Sequence, residues 1–239
     1  MKSLITFYRF SLVMGVVLFI ALPITIQHML VDNGRMLGKE FAFICKKLLW
    51  AFGGELTIDG KFPKNSEKMV VMINHTSRLD IILTTIYFNG ELGIPVVAKK
   101  LFWIPILRFW LKRNNAIGVN RKDPRDWVRV YKEMEKVLQE GKYHLFICPE
   151  GERSLTREML PFKLAIFKLV AKHNKTILPV SVIGAFEVSS KKDLFIVPGP
   201  IFMVNKEIIK VKDRTKEELA KVTKEEIQYQ IDLCRRNYF

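Results

Sequence analysis

An α/β fold is predicted: a largely parallel mixed sheet flanked by helices, with a membrane-associated helical pair at the N-terminus. Three observations predict it. From Glu55 onward, short apolar runs alternate with segments of helical periodicity, the order that gives a sheet covered on both faces. Ahead of them, Phe10 through Val31 carries no Asp, Glu, Lys or Arg. Between the two, residues 36–52 repeat their apolar side chains at helical spacing. The 239 residues suffice for one such domain and a short appendage. The chain accordingly divides into anchoring helices, 1–53, and a main domain, 54–239.

The uncharged run is long enough to cross a bilayer, which takes roughly 20 residues. Lys2 and Arg9 precede it, and Asp32-Asn33-Gly34 ends it with a turn signal. Three arrangements fit: a span, a removed signal peptide, or a helix that dips into one leaflet and returns. The lack of a small-x-small cleavage site after the run speaks against the second. Pro23 should kink the helix. In the next segment Leu37, Phe41, Ile44, Leu48 and Phe52 share one side, while Lys39, Glu40, Lys46 and Lys47 share the other. An amphipathic helix with a basic face suits lipid headgroups and favours the dipping arrangement. Its alternative is to pack on the main domain.

Strands are expected at 56–58, 70–73, 95–97, 116–119, 144–148, 177–182 and 194–197, with short additions at 201–204 and 208–211. The clearest helix is 124–140. Asp123 is a natural N-cap, Pro124 suits the first helical position, and Gly141 supplies the stop. Trp127, Tyr131, Met134 and Leu138 form its buried stripe. Another helix follows Ser77, and another runs from about Phe162 to His173. Thr215-x-x-Glu218 and Thr223-x-x-Glu226 are capping-box patterns that open C-terminal helices.

With 49% hydrophobic and 26% charged residues the chain is not of disordered type. Thirty-nine Lys and Arg against 24 Asp and Glu leave a formal charge of +15. Such a balance suits a polyanionic partner: nucleic acid, an anionic membrane surface, or phosphate and CoA ligands. A plain solvating surface is the alternative. Cys45, Cys148 and Cys234 are odd in number and widely spaced. They indicate neither a disulfide framework nor a zinc site, and they fit a reducing, cytosolic setting.

Four segments carry candidate chemistry. Asn74-His75-Thr76-Ser77-Arg78-Leu79-Asp80 follows an expected strand, so His75 lies past a carboxyl end, where open α/β sheets place ligands. Ser77 and Asp80 fit a capping box. The same geometry lets Asp80 hold an imidazole N–H, leaving His75 the right tautomer to take a proton from a hydroxyl. Cys148-Pro149-Glu150-Gly151-Glu152-Arg153-Ser154 follows another strand. Gly151 permits positive φ there, and Arg153 can grip a phosphate bidentately. A strand-ending turn with a surface ion pair is the alternative. Ala116 to Arg121 is a third strand end, bearing an arginine. Ile177-Leu178-Pro179-Val180 is a strand whose proline marks an edge, a bulge or a wall near a ligand.

In this order and at these separations, the four segments resemble the motifs of the glycerolipid acyltransferase family, closest to the bacterial enzymes that acylate 1-acyl-sn-glycerol-3-phosphate (lysophosphatidate). Asn74, His75 and Asp80 match Asn-His-x4-Asp, and Arg121 matches the second motif. Pro149 to Ser154 match Pro-Glu-Gly-Thr-Arg-Ser, and Ile177 to Val180 match the fourth motif. The resemblance implies that His75 is the general base on the acceptor's sn-2 hydroxyl, which attacks the thioester directly, and that Asp80 orients His75. It implies that Arg121, Glu150, Gly151 and Arg153 bind the glycerol phosphate, with Asn74, Ser77, Lys99 and Pro179 in support. It implies no metal or other cofactor, with acyl-CoA or acyl-carrier protein as donor. It makes 54–239 the acyltransferase domain. Expected with it is a cytoplasmic or inner-membrane location with the catalytic domain on the cytoplasmic side. Glu152 stands where threonine is usual, and Phe162-Lys163-Leu164-Ala165 lacks a customary glycine. Acylation of glycerol-3-phosphate or another lysophospholipid, or non-enzymatic binding of anionic lipid, are the alternatives.

Residues 99–125 interleave Lys99, Lys100, Arg108, Lys112, Arg113, Arg121, Lys122 and Arg125 with Phe102, Trp103, Phe109 and Trp110. That mixture suits an anionic membrane surface. Nucleic acid would suit it too, but no nucleic-acid fold signature accompanies it, so no nucleic-acid partner is expected. Some of these cations are also candidates to dock an acidic carrier protein or CoA phosphates.

Overall fold

The computed structural model describes residues 2–31, 37–63, 67–91, 93–192 and 194–238; the turn expected at Asp32-Asn33-Gly34 lies outside them. Seven strands form one sheet: β1 (Gly54–Asp59), β2 (Val70–Ile73), β3 (Gly93–Ala98), β4 (Ile117–Val119), β5 (His144–Ile147), β6 (Ile177–Ile183) and β7 (Gly199–Val204). Their order is β1-β7-β6-β2-β5-β3-β4. Every pairing is parallel except β6 with β7. The helices are α1 (Lys2–Val16), α2 (Leu22–Leu30), α3 (Gly38–Phe52), α4 (Asp80–Phe88), α5 (Pro105–Arg113), α6 (Pro124–Glu140), α7 (Leu164–Lys172), α8 (Ala185–Val188) and α9 (Lys216–Tyr238). A 3₁₀ turn, Lys99–Trp103, precedes α5.

The central strands are continuous apolar runs because both sheet faces are covered. In β2, Val71 and Ile73 face a core built with α3, α4 and α5, whereas Val70 and Met72 face one built with α6, α7 and α9. Parallel pairing aligns the carboxyl ends of β2, β5, β3 and β4 along one sheet edge, so the segments that follow them share that edge.

Helix α6 has the expected ends: Asp123 accepts from the Arg125 N–H at 2.9 Å, and Gly141 adopts positive φ. Its fully buried stripe is Val130, Met134 and Leu138, with Trp127 and Tyr131 partly buried beside it. The box at Thr215 and Glu218 closes reciprocally, at 3.2 and 2.7 Å. Thr223, by contrast, caps nothing; it is buried inside the single helix α9.

Two expected strands are absent. Residues 194–197 form an exposed loop, and 208–211 make only a bridge between Ile209 and Ile177. Pro179 occupies a local edge within an interior strand. On the side away from β2, the Ile177 N–H bonds the Ile209 carbonyl, and the Ser181 N–H bonds Gln230 Oε1. Alternate residues face the same side, so Pro179 lacks its N–H in the gap beyond the end of β7 at Val204.

Residues 2–30 form one helix of mean hydropathy 2.2, with only 17% of its most apolar window buried. Pro23 does not simply kink it. A π-helical turn, Val17–Ala21, precedes it, in which the Leu22 N–H reaches the Val17 carbonyl, a widened spiral that absorbs local distortion. Polar ties clasp this helix to the body. Arg9 Nη1 donates to the Trp50 carbonyl at 3.3 Å, and Trp110 Nε1 donates to Thr25 Oγ1 at 2.9 Å. The apolar stripe of α3 does not face lipid as its amphipathic pattern suggested. Leu37, Phe41 and Ile44 belong to the core, because α3 packs on α4, α1 and β1. Of its large apolar side chains α3 leaves Phe43 and Trp50 exposed.

Candidate active site

The chain leaves β2 at Ile73 and turns through 74–79 before α4 begins. Asn74 fixes the turn to β6: its Nδ2 donates to the Val182 carbonyl at 2.9 Å, and its Oδ1 accepts from the Val182 N–H at 2.7 Å. Asp80 then points back along the turn. Its Oδ2 accepts from the Thr76 and Ser77 N–H groups, both at 3.1 Å, and lies 2.6 Å from His75 Nδ1. A carboxylate oxygen can only accept, so a ring nitrogen 2.6 Å from it must be a donor. Nδ1 therefore carries the proton and Nε2 presents a lone pair. Ser77 Oγ accepts from the Leu79 N–H at 3.1 Å. Helix α4 takes Leu79 as its N-cap with no side-chain cap, so the expected capping box does not form; Ser77 and Asp80 brace the turn ahead of the helix.

The loop after β5 grips the main chain of His75 from both sides. Glu150 Oε1 accepts the His75 N–H at 2.6 Å, and the Ser154 N–H donates to the His75 carbonyl at 2.8 Å. Glu150 Oε2 accepts the Leu160 N–H at 2.7 Å. Glu150 is fully buried. Burial lifts its pKa from 4.5 to about 7, against the pull of those two N–H groups. This corrects the expectation that Glu150 binds phosphate: both oxygens are engaged on backbone donors, and a carboxylate repels a phosphate. Gly151 is required for its φ of +76°, and its N–H closes the turn on the Cys148 carbonyl at 3.0 Å.

Substituting Glu150 by Gln puts an NH₂ where one backbone N–H needs an acceptor. A loss of about 1–3 kcal/mol is expected, measured by denaturant unfolding. The raised pKa means the folded state holds this proton more tightly. Its stabilisation is full below about pH 4.5 and is lost as the pH rises through about 7. The variant should lose that downward slope; an unchanged slope would assign it to other groups.

Arg153 lies within electrostatic reach of Asp80 and of two further guanidinium groups, Arg78 and Arg121. The Arg153 pKa is lowered first by burial, raised by Asp80, and lowered by Arg78 and Arg121, so all four charges share one field. Burial lowers Arg121 too, opposed by Cys148 and Glu152. Arg78 joins this field, a residue to which its place in the sequence assigned no role. It falls within the four residues between His75 and Asp80, and only the turn geometry reveals its direction; its Nη2 donates to the Lys191 carbonyl at 3.3 Å. Cys148 sits among these groups with its thiol pKa pushed well up, first by burial, then by Asp80 and Glu150.

Two expected supporting residues lie apart from this cluster. Lys99 stands 3.9 Å from Asp126, on the α6 side. Pro179 pairs with Met72, mid-strand and below the level of His75. Of the aromatics in 99–125, only Trp103 is largely exposed, at 85%. Trp110 is buried and stacks on Phe41. Among the described residues, no three His, Cys, Asp or Glu gather as metal ligands.

The acyltransferase family model matches residues 55–183, which run from β1 through β6 and include His75, Asp80, Arg121, Glu150 and Arg153. This chain belongs to the acyltransferase family. It is similar to the 1-acyl-sn-glycerol-3-phosphate acyltransferase of Cocos nucifera, 26% identical over 174 residues, covering 73% of this chain and 56% of that one. The enzyme of the same name from Chlamydomonas reinhardtii is 28% identical over 210 residues, covering 84% and 61%. The alpha enzyme of Homo sapiens is 27% identical over 193 residues, covering 78% and 66%. The chain thus spans somewhat over half the length of the first two. The crystal structure of the 1-acyl-sn-glycerophosphate (LPA) acyltransferase PlsC from Thermotoga maritima shares the fold of this acyltransferase. Its TM-score is 0.83 at 22% identity over 98% of both chains.

Proposed function

We propose that this acyltransferase moves a fatty acyl chain from the thioester of acyl-CoA or acyl-carrier protein to the sn-2 hydroxyl of 1-acyl-glycerol-3-phosphate, giving phosphatidic acid. One observation carries the reading: the 2.6 Å contact of His75 with a carboxylate, beside three guanidinium groups at the strand ends. Nε2 takes the hydroxyl proton as the oxygen attacks the thioester carbonyl. The C–S bond then breaks, and the departing sulfur takes the proton back from the imidazolium. Asp80 stabilises that imidazolium. The protonated thiol of Cys148 is a weak nucleophile, which favours direct attack over an acyl-cysteine.

Arg153 and Arg121 are the acceptor's phosphate ligands in this mechanism, with Gly151 shaping the loop that carries Arg153. A groove lined by Lys99, Trp103, Arg108 and Lys112 suits CoA phosphates or an acidic carrier protein. The exposed apolar side chains of residues 2–30 support attachment to an anionic membrane, with the site on its cytoplasmic side.

Labelled acyl-CoA offered with lysophosphatidate, glycerol-3-phosphate and lysophosphatidylcholine tests the acceptor. Lysophosphatidate should be acylated first; preference for either other acceptor would replace this reading. Arg153→Ala should raise the KM for lysophosphatidate about ten- to hundredfold, the worth of a charge-assisted phosphate contact. The KM for the donor should stay put, and an equal rise for both would remove the phosphate role.

A further inference from the structure

Residues 194–198 follow the site in sequence, and 194–197 read as a strand, yet they pair with no strand of the sheet. Leu194 is 81% exposed, and Phe195 and Val197 are also exposed, while Ile196 turns inward. Large apolar side chains clustered outward on a short loop are uncommon on surfaces that meet only water. Exposed Lys191 and Lys192 precede them. The loop is continuous with the apolar helix α1: the Ile196 N–H donates to Thr6 Oγ1 at 3.1 Å, and Leu4, Phe7 and Tyr8, within a turn of Thr6, are exposed.

The base of the same loop is bonded to the catalytic turn. Ser77 Oγ donates to the Ser189 carbonyl at 2.6 Å, the Arg78 N–H donates to that carbonyl at 3.3 Å, and Ser77 bridges Ser190. Arg78 Nη2 reaches the Lys191 carbonyl. One short segment therefore joins the N-terminal helix at one end and the residues between His75 and Asp80 at the other.

We propose that residues 194–198 insert into the bilayer beside α1, with Lys191 and Lys192 at the anionic headgroups, and that this insertion sets the depth of the His75 site at the lipid boundary. The pattern is apolar side chains below and lysines at headgroup level, as at other lipid interfaces. Through Ser77 and Arg78, the loop holds the catalytic turn at the level where an acceptor embedded by its acyl chain presents its hydroxyl. The proposal rests on the acyltransferase reading only for its activity arm.

The full-length Leu194→Glu/Phe195→Glu protein should bind phosphatidylglycerol–phosphatidylcholine vesicles about tenfold more weakly than wild type, from lost apolar burial and added negative charge. Its turnover on vesicle-embedded lysophosphatidate should fall in step. Turnover on a short-chain, monomeric lysophosphatidate should stay at the wild-type level. Wild-type vesicle binding by the variant would overturn insertion. Equal loss on both acceptors would make the loop structural and overturn the depth role. Leu194→Trp, a milder change, should gain a fluorescence component quenched by brominated lipid; no added quenching also overturns it. The binding and quenching arms need no turnover, so an inactive wild type would sink the proposed function without touching insertion.

Discussion

Alanine at position 75 is expected to lower acyl transfer at least about a thousandfold while the protein stays folded. The side chain contributes one hydrogen bond, to Asp80, and is 13% exposed. The main chain at 75 is held independently by Glu150 and Ser154, so the turn keeps its shape without the ring. Asp80 keeps the Thr76 and Ser77 donors. What disappears is the base that the proposed mechanism aligns on the acceptor's proton. Turnover with labelled acyl-CoA and lysophosphatidate measures the loss, and near-UV circular dichroism checks the fold. A folded variant with wild-type turnover would end the mechanism.

Asp80→Asn is expected to cost nearly as much, about a thousand- to ten-thousandfold in kcat, by analogy with the orienting aspartate of serine proteases. The amide is nearly isosteric, so folding should survive. Its oxygen would take the Oδ2 place and keep the Thr76, Ser77 and His75 Nδ1 donors, and its NH₂ would fall where Asp80 Oδ1 makes no hydrogen bond. The negative charge that stabilises the imidazolium would be gone. Nitrogen NMR of the His75 ring should show Nδ1 still protonated while kcat falls. Full activity in the variant would show that the carboxylate's charge is not used in this way.

How far the site was legible in the sequence can be judged residue by residue. The placement of His75, Asp80 and Arg153 at one sheet edge was legible because each follows an apolar run recognisable as a strand, and parallel pairing brings such ends together. Glu150 was visible as a motif member but misassigned. Its side chain folds beneath the loop onto two backbone N–H groups, and no spacing along the chain encodes that. Arg78 was missed because a turn residue's direction depends on the 189–191 segment, far away in sequence. The stretch 194–197 looked like a strand because its apolar residues suit one; Val197 instead gives its N–H to the Val188 carbonyl beside α8. Similarly, Thr223-x-x-Glu226 had a capping pattern but fell inside a helix whose buried face continues from Leu219 to Cys234.

Local chemistry alone settled a good deal: the alternation of strands and helices, the ends of α6, the positive φ at Gly151, and the apolar N-terminal helix. These depend on neighbours within a few residues, so the chain states them directly. The partner of each face came only with tertiary packing. An apolar stripe such as that of α3 is equally suited to lipid or to a protein core, and burial against α4, α1 and β1 decided it. The same holds for charge: a carboxylate's role follows from which donors surround it, and folding alone brought those donors to Glu150 and to Asp80.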